Sequence, residues 1–259
     1  MQRAIVFLAM AHFYDCNKLK SPVLVEEITT PSQAKKHKGK VFPSVTSILG
    51  QTIKDPFLDS IYKPRKMVEL ARMEEYWDKD WKGIEKLCYG LVKSPDGKMI
   101  PSSEFGTRVH NAAEKLLNAI KYNDDYELDI YDDYAQPFAD WVEENQFKVI
   151  ATEYAIADGL IKTCGTIDVI LRDIENDELF LCDYKCRKSK QFYSKDLWQL
   201  AIESEMIRRR GLDYQPKCIS VCIDINTKKH HHKVWKEEEV KEAIQVVKLI
   251  SKLYWKIRM

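Results

Sequence analysis

The chain has 259 residues, of which 45% are hydrophobic and 31% are charged. That apolar content supports one substantial core and excludes a wholly disordered chain. Its 41 Lys and Arg residues nearly balance 40 Asp and Glu residues, for a net charge of +1. This balance excludes a uniformly basic coat that sequesters nucleic acid, so any nucleic-acid site must be a local patch.

Cysteine content and hydropathy indicate the compartment. The seven cysteines are an odd number, and a chain of this length needs no disulfides to hold its core together. No stretch approaches the roughly 20 apolar residues that a membrane helix needs. We therefore expect an intracellular protein that is neither secreted nor embedded in a membrane.

The chain divides into three stretches of different pattern. Residues 1–41 contain short strand-like segments broken by prolines and basic residues, which predicts a strand-rich N-terminal extension. Residues 42–148 follow a helical period. Helices are predicted to begin after Ser44, at Pro64, at Ser102 and near Ala135.

From residue 149 to 259 the period changes to that of strands separated by helices. Strands are predicted over 149–157, 163–172, 178–186 and 217–225, with a fifth possible strand over 230–235. Helices are predicted over 195–210 and 237–257. The order from residue 104, α-α-β-β-β-α-β-(β)-α, predicts an α/β fold with a mixed central sheet flanked by helices.

Two short motifs in neighbouring predicted strands concentrate the chemistry. They are Gly165-Thr-Ile-Asp168 and Asp183-Tyr184-Lys185. Side chains two apart in a strand share a face, so Asp183 and Lys185 point together, while Tyr184 points away and leaves its carbonyl at the same edge. If Asp168 ends the adjacent strand on that side, two carboxylates and an ammonium converge.

Converging carboxylates favour a hard cation such as Mg²⁺ or Mn²⁺, which activates water and neutralises charge on a phosphoryl group. A neighbouring lysine orients or deprotonates that water, or holds the phosphate. This combination is typical of phosphodiester hydrolysis. Asp-x-Lys is also common as a surface ion pair, but here the motif follows the strongly apolar segment 179–181, where unpaired charge is costly to bury.

Two further candidates lie upstream. His110 and Glu114 are one helical turn apart on one face, so the imidazole could complete a metal shell with Glu114 orienting it. A structural histidine is the alternative. Glu153 lies in the strand before Gly165, where a role in the site and a plain exposed position are both open.

Together these motifs resemble the PD-(D/E)XK nuclease superfamily, in its RecB-like branch. The segment 42–49 also resembles the opening of the mitochondrial genome maintenance exonucleases and their phage and viral relatives. The similarity spans residues 42–211 and rests on Gly106-Thr-x-x-His110-x-x-x-Glu114, Glu153, Gly165-Thr-Ile-Asp168, Asp183-Tyr-Lys185 and Gln199-Leu200.

The resemblance implies a restriction-endonuclease-like core, one continuous nuclease domain from about residue 42, and a helical N-terminal wall. It implies Asp168, Asp183 and His110 as metal ligands, Lys185 as the catalytic lysine and Gln199 as its support. Glu153 matches the family's strand acid. Mg²⁺ is the expected cofactor, with Mn²⁺ able to substitute. The cysteine spacing departs from that of relatives with an iron–sulfur cluster, so no cluster is expected.

Basic and aromatic residues near these motifs are candidates for DNA contacts, although such residues more often belong to a solvated surface; Arg187 is the exception, because it shares a strand face with Lys185. They are Arg108, Arg187, Lys188 and Tyr193. The leading expectation is a metal-dependent DNA exonuclease acting on single strands or free ends, in replication, recombination or repair within a bacterial or virus-infected host cell. The alternatives are a structure-specific endonuclease on the same fold and a non-catalytic nucleic-acid-binding protein. The sequence leaves any protein partner unknown.

Overall fold

A small sheet forms the first part of the chain. The computed structural model describes residues 13–15, 23–24, 33–34, 41–53, 63–76, 78–88, 90–188 and 190–257. Strands β1 (Phe13–Asp15), β2 (Val23–Leu24) and β3 (Val41–Pro43) pair antiparallel in the order β2-β1-β3. The rest of the predicted extension 1–41 lies outside the described residues, apart from 33–34.

The next segment is mainly helical. Ser44 caps its first helix, because its Oγ accepts a hydrogen bond from the Ser47 N–H at 3.1 Å, as the Pro43-Ser44 pattern predicts. The elements in chain order are α1 (Val45–Thr52), α2 (Lys63–Ala71), a 3-10 turn (Glu74–Tyr76), α3 (Trp81–Leu87), the hairpin β4 (Leu91–Lys93) and β5 (Met99–Pro101), α4 (Ser102–Tyr122) and α5 (Asp132–Glu144).

Two details of this segment differ from the prediction. Helix α5 begins at Asp132 rather than near Ala135, because two acidic residues occupy its first turn, where the helix dipole favours negative charge. Pro137 lies inside that helix, which obscures its start in the sequence. The short antiparallel strands β4 and β5, which flank a turn over residues 95–97, were not predicted.

The centre of the molecule is a five-stranded mixed sheet. Its strands are β6 (Phe147–Asp158), β7 (Thr163–Asp173), β8 (Leu179–Arg187), β9 (Lys217–Asp224) and β10 (His230–Val234), in the order β10-β9-β8-β7-β6. The pair β8–β9 is parallel and the others are antiparallel. Helix α6 (Ser194–Arg208) makes the crossover that a parallel pair requires, and α7 (Glu237–Ile257) follows. The predicted mixed α/β class and element order are confirmed.

Helices cover both faces of this sheet. One core joins α4 and α5 to the sheet and contains Phe105, Phe138 and Tyr184. The other joins α1, α6 and α7 to the opposite face and contains Ile48 and Leu200. Helix α1 therefore lies on the opposite face of the sheet from α4 and α5, and α2 and α3 pack against each other in a separate small cluster. None of the described helices is long and apolar enough to cross a lipid bilayer.

Candidate active site

The site lies where β7 and β8 separate. Their backbone pairing runs as far as Val169 and Cys182 and then ends. Beyond that point the Asp168 carboxylate takes the place of a strand partner, because its Oδ2 accepts a hydrogen bond from the Tyr184 N–H at 3.0 Å. Asp168 is almost fully buried, and this burial raises the pKa of its carboxyl group. A side chain thus occupies the fork between two central strands.

Asp183 and Lys185 share one face of β8, as strand alternation predicts. Lys185 Nζ forms an ion pair with Asp183 Oδ1, whereas the buried Asp183 Oδ2 has no hydrogen-bond partner among the described residues. Burial raises the pKa of Asp183 to about 6, although the lysine charge opposes the shift. Burial alone would lower the pKa of Lys185, but the charges of Asp183 and Asp168 outweigh it and raise that pKa.

His110 reaches the same fork from α4. Its Nδ1 lies 3.9 Å from Asp168 Oδ2, and its ring packs 4.1 Å from the Tyr184 ring between centroids. The Tyr184 hydroxyl donates to the His110 carbonyl at 2.9 Å, which fixes the helix against the strand. Burial, together with the Lys185 charge, lowers the pKa of His110 to about 4. The imidazole is therefore neutral at pH 7, as a metal ligand must be.

Glu153 joins this group through an unusual backbone conformation. It has φ = 44° within β6, and the pairs on either side put it level with Asp168 of β7. The left-handed conformation costs a non-glycine residue ~1–3 kcal/mol and is concentrated at functional sites. One ligand atom each from His110, Glu153 and Asp168 lie within 4.8 Å of one another. Glu153 is exposed and also belongs to the cluster. It therefore combines the two alternatives that the sequence left open, an exposed position and a role in the site.

Electrostatics within the cluster are unfavourable without a cation. Although the Glu153 side chain reaches solvent, desolvation by the groups around it, together with the charges of Asp168 and Glu114, raises its pKa to about 7. Glu114 is half-buried one turn after His110, and so it adds negative charge near the fork. Several carboxylates thus surround the single ammonium of Lys185, a charge imbalance that a divalent cation would correct.

Helix α6 contributes Gln199 and a residue that the sequence analysis missed, Glu203. Gln199 Nε2 donates to Glu203 Oε1 at 3.4 Å. Glu203 is buried, and its Oε2 has no hydrogen-bond partner in the part of the chain that the structure describes. Burial beside Asp183 raises the pKa of Glu203 well above the ordinary value. A Cβ built on Gly165 would lie only 2.8 Å from Glu203 Oε1, so the glycine of the Gly-Thr-Ile-Asp motif makes room for this acid. The available signal was the four-residue spacing from Gln199 on one helix face.

Arg187, expected to contact DNA, has an internal partner. Its guanidinium forms two hydrogen bonds with Asp196, at 2.8 and 2.6 Å, and a third with the Gln191 carbonyl at 2.8 Å. Asp196 also accepts from the Tyr193 N–H at 2.9 Å, at the start of α6. Arg187 therefore joins the end of β8 to the start of α6. Tyr193 stacks under it, 4.7 Å from ring centroid to guanidinium carbon.

The other predicted DNA contacts lie on the surface. Arg108 is half-exposed on α4, paired with Glu104 at 2.7 Å and near the Tyr131 hydroxyl at 3.4 Å. Lys188 is exposed at the end of β8. Both side chains are accessible from solvent on elements that carry residues of the fork.

The donor set suits a hard divalent cation. Asp168 and Glu153 offer carboxylate oxygens and His110 adds one neutral nitrogen within this cluster, whereas Asp183 and the Tyr184 carbonyl belong to the neighbouring strand β8 and lie outside the 4.8 Å group. Oxygen-rich sets of this kind select Mg²⁺ or Mn²⁺. The unpartnered Asp183 Oδ2 is the observation that most directly calls for a ligand here.

Comparison with known proteins adds little. No family model matches the chain, and no curated protein matches it. Among solved structures, the crystal structure of SSO0001 is similar over 81% of this chain and 82% of that chain, with 15% identity and a TM-score of 0.33. A likeness at that TM-score supports no conclusion about fold family or function.

Proposed function

We propose that this protein is a metal-dependent DNA exonuclease that hydrolyses phosphodiester bonds in single-stranded DNA or at free ends, in replication, recombination or repair. The observation that carries the proposal is the meeting of His110, Glu153 and Asp168 beside the Asp183–Lys185 ion pair. On the same proposal, the five-stranded sheet is a restriction-endonuclease-like core, with its site at the fork of β7 and β8.

The residues have distinct roles in this proposal. Asp168, Asp183, Glu153, His110 and the Tyr184 carbonyl would hold Mg²⁺ or Mn²⁺. The ion, when bound, lowers the pKa of a bound water and neutralises phosphate charge.

Lys185 stays protonated at neutral pH, because its pKa is raised, so it acts as a fixed cation. It donates a hydrogen bond to a phosphate oxygen or to the attacking water, with Asp183 holding it in place, while Gln199 bonds to the neighbouring Glu203.

The test is cleavage of a linear single strand and of a closed single-stranded circle of similar sequence, in Mg²⁺ and in Mn²⁺. We expect loss of the linear strand alone, reduced at least ~100-fold by Lys185→Ala. Lys98→Ala, at an exposed lysine on the β4–β5 turn, is the charge-matched control and should cut normally. Thermal melting establishes that each variant is folded, and Asp168→Asn provides a second inactive variant.

The other outcomes separate the alternatives. Cutting of the circle would identify an endonuclease at the same site. Absence of cleavage of single strands, duplexes and RNA, together with retained DNA binding, would replace the proposal with a nucleic-acid-binding protein. Equal activity in wild type and Lys185→Ala would show that the fork is not the active site.

A further inference from the structure

A basic groove lies away from the fork, on the side of the sheet covered by α6 and α7. It has a volume of about 500 Å³ between the β6–β7 turn, the end of α6 and the last turns of α7. We name it the α7 groove and define it by the residues Leu160, Lys162, Arg209, Lys248, Lys252 and Trp255. None of these residues belongs to the candidate active site.

Hydrogen bonds hold the walls of the α7 groove in place. Ser251 Oγ donates to the Ile161 carbonyl at 2.8 Å, and Trp255 Nε1 donates to the Lys162 carbonyl at 3.2 Å. Both bonds join α7 to the β6–β7 turn. Asp158 Oδ1 accepts from two N–H groups of that turn, at 2.7 and 2.8 Å. A bound ligand would therefore meet a groove whose backbone is already ordered, which reduces the entropy cost of binding.

The charge of the α7 groove is positive although the whole chain is nearly neutral. Arg209 is paired with Asp158 at 2.8 Å, and Lys248 with Glu205 at 2.8 Å. Lys162 and Lys252 are exposed, and neither forms an ion pair within the described part of the chain. Four cations thus face two carboxylates, and two ammonium groups are left to bind an anion.

The position of the groove relates it to the fork. Arg209 follows Gln199 by ten residues along α6 and its C-cap, a distance of about 15 Å. Along β7, Thr163 next to the groove precedes Asp168 by five residues, or about 17 Å. One extended nucleic-acid strand of a few nucleotides spans such a distance. The two sites are therefore close enough to hold a single strand together.

We infer that the α7 groove binds a single-stranded DNA segment, with Lys162 and Lys252 on its backbone phosphates and one base against Trp255. This inference rests on the proposed function, because it makes the groove a second contact for the strand held at the fork. Exposed cations beside a partly exposed indole favour DNA over an acidic peptide, since a base offers a flat face to the ring and a carboxylate does not.

The experiment measures binding of a fluorescent 20-nucleotide single strand in EDTA, where cleavage does not interfere. Lys162→Ala/Lys252→Ala should weaken binding about tenfold and lower the slope of log affinity against log salt by about 1.4, which is 0.7 for each lost phosphate contact. Trp255→Leu should weaken binding about 5- to 150-fold. The control Lys98→Ala/Lys241→Ala removes the same charge from exposed lysines outside the groove and should bind as wild type.

Each remaining result has a definite meaning. If wild type and the Lys162/Lys252 variant bind the strand with equal affinity and salt slope, or if wild type does not bind it, the inference is overturned. If the variant loses binding of a 20-residue polyglutamate but not of DNA, the ligand is an acidic protein segment and the DNA assignment is wrong.

Cleavage of linear and circular single strands in Mg²⁺ or Mn²⁺ is measured independently of these binding results. Cleavage without a groove effect rejects the groove alone. A groove effect without cleavage rejects the exonuclease and keeps the DNA site.

Discussion

Replacing Gly165 with alanine tests how the candidate site is packed. In the native structure a Cβ at this position would lie 2.8 Å from Glu203 Oε1 and 3.3 Å from its Cγ. Real Cβ atoms do not approach other heavy atoms to 2.8 Å, so the Glu203 carboxylate or the α6 backbone must move. Glu203 is only 1% exposed, so its carboxylate has no route to solvent. Overpacking of this kind costs about 1–3 kcal/mol of unfolding free energy.

The size of the clash follows from a double-mutant cycle. Urea unfolding is measured for wild type, Gly165→Ala, Glu203→Ala and the double variant. In the Glu203→Ala background the contact is gone, and Gly165→Ala should instead stabilise by about 0.4–1 kcal/mol, because alanine restricts the unfolded chain. The coupling energy is then about 1.4–4 kcal/mol. Each kcal/mol corresponds to roughly 2–4 °C in Tm for a domain of about this size.

Gly106 provides the matched control on α4. A Cβ there meets nothing within 4 Å, and the residue lies in a helix interior. Gly106→Ala should therefore raise the unfolding free energy by about 0.5–1 kcal/mol. Equal costs of Gly165→Ala with and without Glu203 would refute the packing that we describe. So would a stabilising Gly165→Ala in the native background.

Further predictions concern pH and metal. The pKa of Glu153 is raised to about 7 and that of Asp183 to about 6, so the unfolding free energy in metal-free buffer should decrease as pH rises from about 4 to 7. Glu153→Gln should make this dependence of the unfolding free energy on pH less steep in urea titrations. Mn²⁺ should raise Tm more at pH 8 than at pH 5, because its ligands must be deprotonated; an unchanged Tm would count against the metal site. Burial lowers the pKa of stacked His230 and His232, so these two residues contribute a component of stability that is lost as pH drops below about 6.5, opposite in sign to that of the acids. Their double replacement by Gln should remove that component, and an unaltered pH profile would contradict it.

Regular periodicity in the sequence was sufficient for most of the fold. The predicted helix 237–257 coincides with α7, and the five strands of the central sheet were predicted in order and within two residues at each end. Apolar residues recur with a period of 3.6 residues in amphipathic helices and 2 residues in strands, so the sequence itself indicates which face of each element is buried. The β4–β5 hairpin was not predicted, because its three-residue strands are too short to show a period in the sequence.

The residues of the candidate site were identified partly from the sequence and partly from the tertiary structure. Strand alternation alone places Asp183 and Lys185 on one face of their strand, and helical spacing places His110 and Glu114 on one face of their helix. The sequence predicts both pairs because each pair lies within a single element. Only the tertiary structure decided that Glu153 adopts the left-handed conformation and lies level with Asp168. It also decided that Glu203 fills the space over Gly165 and that Asp196 binds Arg187. Periodicity fixes which face of its own element a side chain occupies, but which side chains meet across elements is set by register, twist and helix placement, and those are properties of the packed fold.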